Sequence, residues 1–145
     1  MIVHDLSPAA VRQMLPVDLA TLDDEPPSPI VTFDFNGCTA GIASFVGTPP
    51  WERHDGGDEL LLVLSGQSRL LVRTGQSEET CSLRQGDLVA VPRGCWHSNR
   101  SETGVTLLFL TPSADSAYSD TPPHAYVPLG VAHGLVSPAV HDAWW

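Results

Sequence analysis

Between residues 31 and 111 apolar side chains recur at every second position in short runs, and glycine or proline interrupts nearly every run. Val31, Phe33 and Phe35 alternate with Thr32 and Asp34, the period of a strand with one buried face. Asn36-Gly37 then supplies a hairpin turn, and a second strand is predicted from Cys38 to Val46. Further strands are predicted over Leu60 to Leu64, Ser68 to Arg73, Thr80 to Leu83, Asp87 to Val91 and Val105 to Thr111. Gly47 with Pro49-Pro50, Ser65-Gly66, Gly75, Gly86 and Gly94 separate them. Roughly six to eight short strands at a spacing of about eight to twelve residues, with almost no helical periodicity, specify an all-β sandwich or barrel.

The flanks differ in texture. Ser7-Pro8 followed by Ala9 to Leu15 reads as a capped helix of two turns ending before Pro16. Asp23-Asp24-Glu25-Pro26-Pro27-Ser28-Pro29 is an acidic connector that suits neither helix nor central strand. Four prolines between Pro112 and Pro128 mark an irregular arm instead of a ladder. The expected organisation is a lead-in over 1–29, a barrel over 30–112 and a C-terminal arm over 113–145. Trp144-Trp145 would form a costly apolar patch if exposed, so the arm is expected to pack on the barrel or on a partner subunit.

Charge narrows the partners. Seven basic residues, all arginine, face 17 acidic ones for a formal net charge of -10, a balance that repels phosphate backbones and anionic lipid. No apolar run approaches the eighteen or so residues of a membrane helix. Nucleic acid and membrane are therefore not expected partners, and a small molecule is. Met1-Ile2-Val3-His4-Asp5 lacks the basic and apolar regions of a secretory signal, and Cys38, Cys81 and Cys95 form no C-x-x-C pair. A cytoplasmic protein with reduced thiols is the expectation, and a homodimer through an edge strand or the arm is consistent with it.

The chemistry concentrates in two segments, Trp51 to Gly66 and Gly86 to His97. Glu52 and His54 stand two apart, so on an extended strand both leave the same face. In a small barrel, inward positions of distant strands converge, which lets Glu52, His54 and Glu59 meet His97. Two buried carboxylates require compensation, and a divalent cation provides it.

The two segments resemble the paired motifs of the cupin superfamily. His54, four residues, Glu59, six residues and Gly66 match the second half of the first motif; Gly86, Pro92, Gly94 and His97 match the second. Glu52 stands where the family has its first histidine, the nearest upstream glycine is Gly47, and Ser101 replaces the final asparagine, with Asn99 nearby. The resemblance covers residues 30–112. It implies a double-stranded jelly-roll β-barrel with a divalent metal held by His54, Glu59 and His97, joined by Glu52 in place of the missing histidine. Two imidazoles and two carboxylates suit Fe(II) foremost, and also Mn(II), Zn(II) or Ni(II); without Glu52 the set becomes the two-His, one-carboxylate triad of non-haem iron oxygenases.

The implied function is a metal-dependent enzyme acting on a small organic molecule, a dioxygenase foremost, with Glu52 as general base. An isomerase, cyclase or lyase using the metal as a Lewis acid is the alternative, as is a non-catalytic binding module. The remaining histidines, His4, His124, His133 and His141, read as ordinary surface residues. Arg53 and Arg93 neighbour ligand positions and so should point outward, Trp51 and Trp96 read as core, and Cys95 as a small buried hydrophobe.

Overall fold

The computed structural model describes residues 3–21, 29–74 and 77–123. Nine strands follow a one-turn helix: α1 (Pro8–Val11), β1 (Val17–Asp18), β2 (Val31–Phe35), β3 (Cys38–Gly47), β4 (Trp51–His54), β5 (Glu59–Thr74), β6 (Ser77–Arg84), β7 (Leu88–Val91), β8 (Trp96–Pro112) and β9 (Ser116–Ser119). This is the expected all-β jelly roll, and its ladders do not close into a ring.

Two long strands build both layers. The first halves of β5 and the second halves of β8 pair through Leu60↔Leu110 to Gly66↔Val105, flanked by β7 on one side and β3 with β2 on the other. Beyond a bend, the same two strands pair again through Arg69↔Arg100 to Arg73↔Trp96, now flanked by β6 and β4. The expected break at Ser65-Gly66 is therefore a corner within one strand, because residues on both sides of it pair with β8. Gly66 sits at φ +77, and a Cβ there would collide with the Gly104 carbonyl oxygen, so only glycine lets the two strands cross so closely. Ser101 ties the corner by donating its hydroxyl to the Gln67 carbonyl at 2.7 Å and accepting from the Gly104 amide at 3.0 Å.

The layers enclose one apolar core, built from Phe45, Leu61, Val63, Leu70, Val72 and Leu107 among others. A smaller cluster of Trp51, Leu71 and Trp96 lies on the outer face of the β4 layer. Both tryptophans are thus packing residues, as expected.

Three further expectations are corrected. The helix has one turn, capped by the Ser7 hydroxyl, and not two: Val11 is buried whereas Leu15 is 80% exposed, so no apolar burial offsets the cost of a second turn. The region expected as a lead-in contributes β1, which runs parallel to β3 at Phe45 and Val46. The region expected as irregular arm contributes β9, which among the described residues lies at the sheet's edge, in register with β4 from Trp51↔Ser119 to His54↔Ser116. Proline flanks it without interrupting it, and an edge strand satisfies only one side of its backbone, so it needs little apolar patterning. Trp144, Trp145, His124, His133 and His141 lie outside the described residues. His4 is exposed and stacks on Phe33 at 6.1 Å.

Candidate metal centre

Strand register delivers four side chains to one point. Glu52 and His54 leave the inner face of β4, Glu59 opens β5, and His97 follows Trp96 on β8, directly opposite Glu52 in the ladder. The turn between β4 and β5 is clamped in place: the Gly94 amide donates to the His54 carbonyl at 2.9 Å, the Arg93 amide to the Asp58 carboxylate at 2.8 Å, and the Asp55 amide to the Asp115 carbonyl at 2.9 Å. Gly56 belongs to this clamp, since a Cβ there would meet the Ala114 carbonyl oxygen at 2.7 Å. Glycine in the sequence thus marks a close approach between two segments far apart in the chain.

One ligand-capable atom from each of Glu52, His54, Glu59 and His97 lies within 4.8 Å of the others. His97 Nε2 is 2.7 Å from Glu59 and 3.5 Å from Glu52, while His54 Nε2 is 3.6 Å from Glu59 and 3.7 Å from Glu52. His54, Glu59 and His97 are almost wholly buried, and the Glu52 side chain is 31% exposed. The sequence-derived set therefore assembles in full, with Glu52 at its open side.

The electrostatics are those of a compact, mutually charged cluster. Burial lowers the pKa of His54, and the Glu59 and Glu52 carboxylates only partly oppose it. Burial also works against charge on His97, but hydrogen bonding to Glu52 and Glu59 outweighs it and pushes its pKa up to about 10. Burial favours the neutral form of Glu59, yet the His97 hydrogen bond and the Thr111 hydroxyl hold it below the usual carboxylate value.

The residues present fit a divalent metal ion. His54 Nε2 is buried and has no hydrogen-bond partner, which normally costs on the order of 1–3 kcal/mol and is removed if the nitrogen ligates. Metal bonds of roughly 2.0–2.2 Å place neighbouring ligand atoms about 3–3.5 Å apart, close to the separations seen here. The outer nitrogens are also occupied, as ligating imidazoles require: His97 Nδ1 is 3.2 Å from the Cys95 carbonyl and His54 Nδ1 is 2.9 Å from the Ser116 hydroxyl.

Three residues of the site escaped the sequence reading. Thr111 donates its hydroxyl to Glu59; it follows Leu107 and Phe109 at period two, so alternation along β8 was a usable signal. Ser116 touches His54 and Tyr118 lies opposite Glu52 in the ladder, but the Ser-Asp-Pro composition around them carried no strand signal. Directly opposed residues of a ladder share a face, so the register with Glu52 puts Tyr118 on the site's side of β9, where burial and the nearby carboxylates hold its phenol above the usual value. Arg53 points away, pairing with Asp55 at 2.8 Å and stacking over Trp96 at 5.0 Å, and Arg93 is exposed. Cys95 is buried in the main core, and burial raises its thiol pKa.

Residues 46–111 match the family model described as Cupin domain. Uncharacterized protein YdbB of Bacillus subtilis (strain 168) is 35% identical over 60 residues, 41% of this chain and 50% of that protein, so the match spans half of the curated relative's length. A Klebsiella pneumoniae protein with a double-stranded beta-helix domain superposes with a TM-score of 0.55 at 16% identity, covering 77% of this chain and 95% of that one. Hydroquinone 1,2-dioxygenase from Sphingomonas sp. TTNP3, solved with 4-hydroxybenzoate bound, gives a TM-score of 0.50 at 14% identity, covering 70% and 84%. At such identities the structural likenesses establish the fold alone. The two spaced motifs and the family match over the same strands identify residues 46–111 as a cupin domain.

Proposed function

We propose that Glu52, His54, Glu59 and His97 hold one divalent metal ion and that the protein is a mononuclear metal enzyme acting on a small organic molecule, with Fe(II)-dependent dioxygenation as its reaction. The observation that carries this reading is the buried, unpartnered His54 Nε2 facing two carboxylates and a second imidazole. A bound Fe(II) ion would supply open coordination positions for substrate and dioxygen. The same donor set suits Mn, Zn or Ni, with which isomerase, cyclase or lyase chemistry would use the same residues.

The chain's own groups divide the remaining work. His54, Glu59 and His97 are buried and braced, so they form the fixed part of the shell and exclude water beneath the substrate. Glu52 is the one exposed member, and its carboxylate, displaced from the metal on substrate entry, would take a proton from a substrate hydroxyl as general base. Tyr118, 67% exposed beside Glu52, offers a phenol to a substrate at the mouth. The fold shared with a hydroquinone dioxygenase is compatible with this chemistry.

One observation favours a non-catalytic binding module instead: His97 Nε2 and Glu59, 2.7 Å apart, can satisfy each other by hydrogen bonding. Metal analysis of chelator-free protein, with anaerobic Fe(II) reconstitution and oxygen-consumption screening, separates the two. One equivalent of iron with substrate-dependent oxygen uptake supports the enzyme; absence of stoichiometric metal after reconstitution overturns it in favour of the module. The proposal extends to a cytoplasmic homodimer, supported by the edge strand β2, on which Phe33 and Phe35 are 47% and 52% exposed. A monomeric mass by light scattering would overturn that part.

A further inference from the structure

The metal cluster's four ligand candidates come from β4, β5 and β8, but the group that braces His54 comes from β9, sixty-two residues along the chain. The Ser116 hydroxyl lies 2.9 Å from His54 Nδ1. With Nδ1 so engaged, the ring is held with Nε2 toward Glu52 and Glu59. The other imidazole needs no such help, because His97 Nδ1 meets a main-chain carbonyl two residues away. His54 alone depends on a side chain, and on one carried by an edge strand.

That strand is seated on the site by several independent contacts. β9 pairs with β4 over four residues and, among the described residues, with no other strand. Just before it, Asp115 accepts the Asp55 amide, Gly56 packs on Ala114 and Gly57 packs on Pro112. The segment from Pro112 to Ser119 is therefore folded against the ligand-bearing turn itself.

We infer that Ser116 is a positioning residue for the metal centre, and that through it docking of β9 and binding of the metal are thermodynamically linked. The inference rests on the reading that the cluster holds a metal. Outer partners of ligating histidines are typically worth about 10- to 100-fold in metal affinity. Linkage is reciprocal, so a metal that binds more tightly when Ser116 is docked must tighten the docking of β9 by the same factor. Metal loading then strengthens the docking that the ladder with β4 already provides.

The test uses the full chain, with Ser116→Ala and Ser116→Thr beside the wild type. Calorimetric titration with Zn(II) should give an affinity about 10- to 100-fold weaker for Ser116→Ala and near the wild-type value for Ser116→Thr, which keeps the hydroxyl. Amide hydrogen exchange in β9 should slow on Zn(II) addition in the wild type by a similar factor, and much less in Ser116→Ala. A merely structural serine would not move that difference. In metal-free protein, the nitrogen chemical shifts of the His54 ring should change on Ser116→Ala and return in Ser116→Thr.

Unchanged ring shifts together with unchanged affinity in Ser116→Ala would overturn the inference. If the wild type binds no Zn(II), the metal reading and the linkage both fail, and the ring shifts still decide whether Ser116 holds His54.

Discussion

The two imidazoles of the cluster occupy equivalent positions and are held in opposite ways. His97 is fixed by the main chain just before its own strand and by a buried carboxylate on β5: its outer nitrogen meets the Cys95 carbonyl, its inner nitrogen the Glu59 carboxylate, and the ring is almost inaccessible to water. His54 is fixed from outside its strand, by a hydroxyl on β9, and its inner nitrogen has no hydrogen-bond partner. The electrostatic result follows. Two carboxylates keep a proton on His97, while burial strips the proton from His54. A metal arriving at this site finds one nitrogen ready and must displace a proton from the other.

The largest effect expected from breaking this pair is loss of the centre itself. His97→Ala should abolish stoichiometric metal binding and leave Glu59 buried without its counter-ion, so elemental analysis and thermal unfolding should both change. If His97→Ala retains a full equivalent of metal, His97 is not a ligand. Thr111→Val tests the brace on the carboxylate between the imidazoles: losing the hydroxyl that donates to Glu59 should weaken metal affinity by on the order of tenfold. An affinity unchanged within twofold would assign Thr111 to packing alone.

The pH dependence of the metal-free protein sharpens the contrast. Because the folded value of His97 is raised from 6.5 to about 10, its contribution to stability is complete below pH 6.5 and is lost as pH rises through about 10. His54 has the opposite sign: its folded value is lowered, so its contribution is present above pH 6.5 and is lost as pH falls through the lowered value. Thermal midpoints from about pH 6 to about pH 10 should decline in the wild type more steeply than in His97→Gln. Equal slopes would remove the His97 ion pair as their cause.

The smallest effect is expected where the brace is backbone. Cys95→Ala keeps the carbonyl that holds His97 Nδ1, so metal affinity should stay within about twofold, although the lost core volume should cost about 1 kcal/mol of stability. Set beside Ser116→Ala, this variant asks whether side-chain and main-chain braces differ as the geometry requires.

Much of the site was legible before any coordinates. Period-two patterning identified most of the barrel strands, and the resemblance of the segments from Glu52 to Gly66 and from Gly86 to His97 to the paired cupin motifs pointed to all four members of the cluster. Those residues could be read because each lies within a local pattern, and because the alternation of a strand decides which face a side chain leaves. Glu52, standing where a histidine was expected, still joins the cluster because strand geometry depends on position and not on side-chain identity.

Ser116 could not be found that way. Its role depends on β9 pairing with β4 in a register that places it opposite His54, and an edge strand is held by main-chain hydrogen bonds that every residue type except proline can make. The bend at Gly66 was misread for a related reason: a glycine at a turn and a glycine at a corner are identical locally, and only the pairing of both flanks with β8 distinguishes them. Local chemistry and periodicity thus determined which groups could bind a metal, whereas long-range strand register decided which groups hold them in place, because register arises between segments and is written in neither one alone.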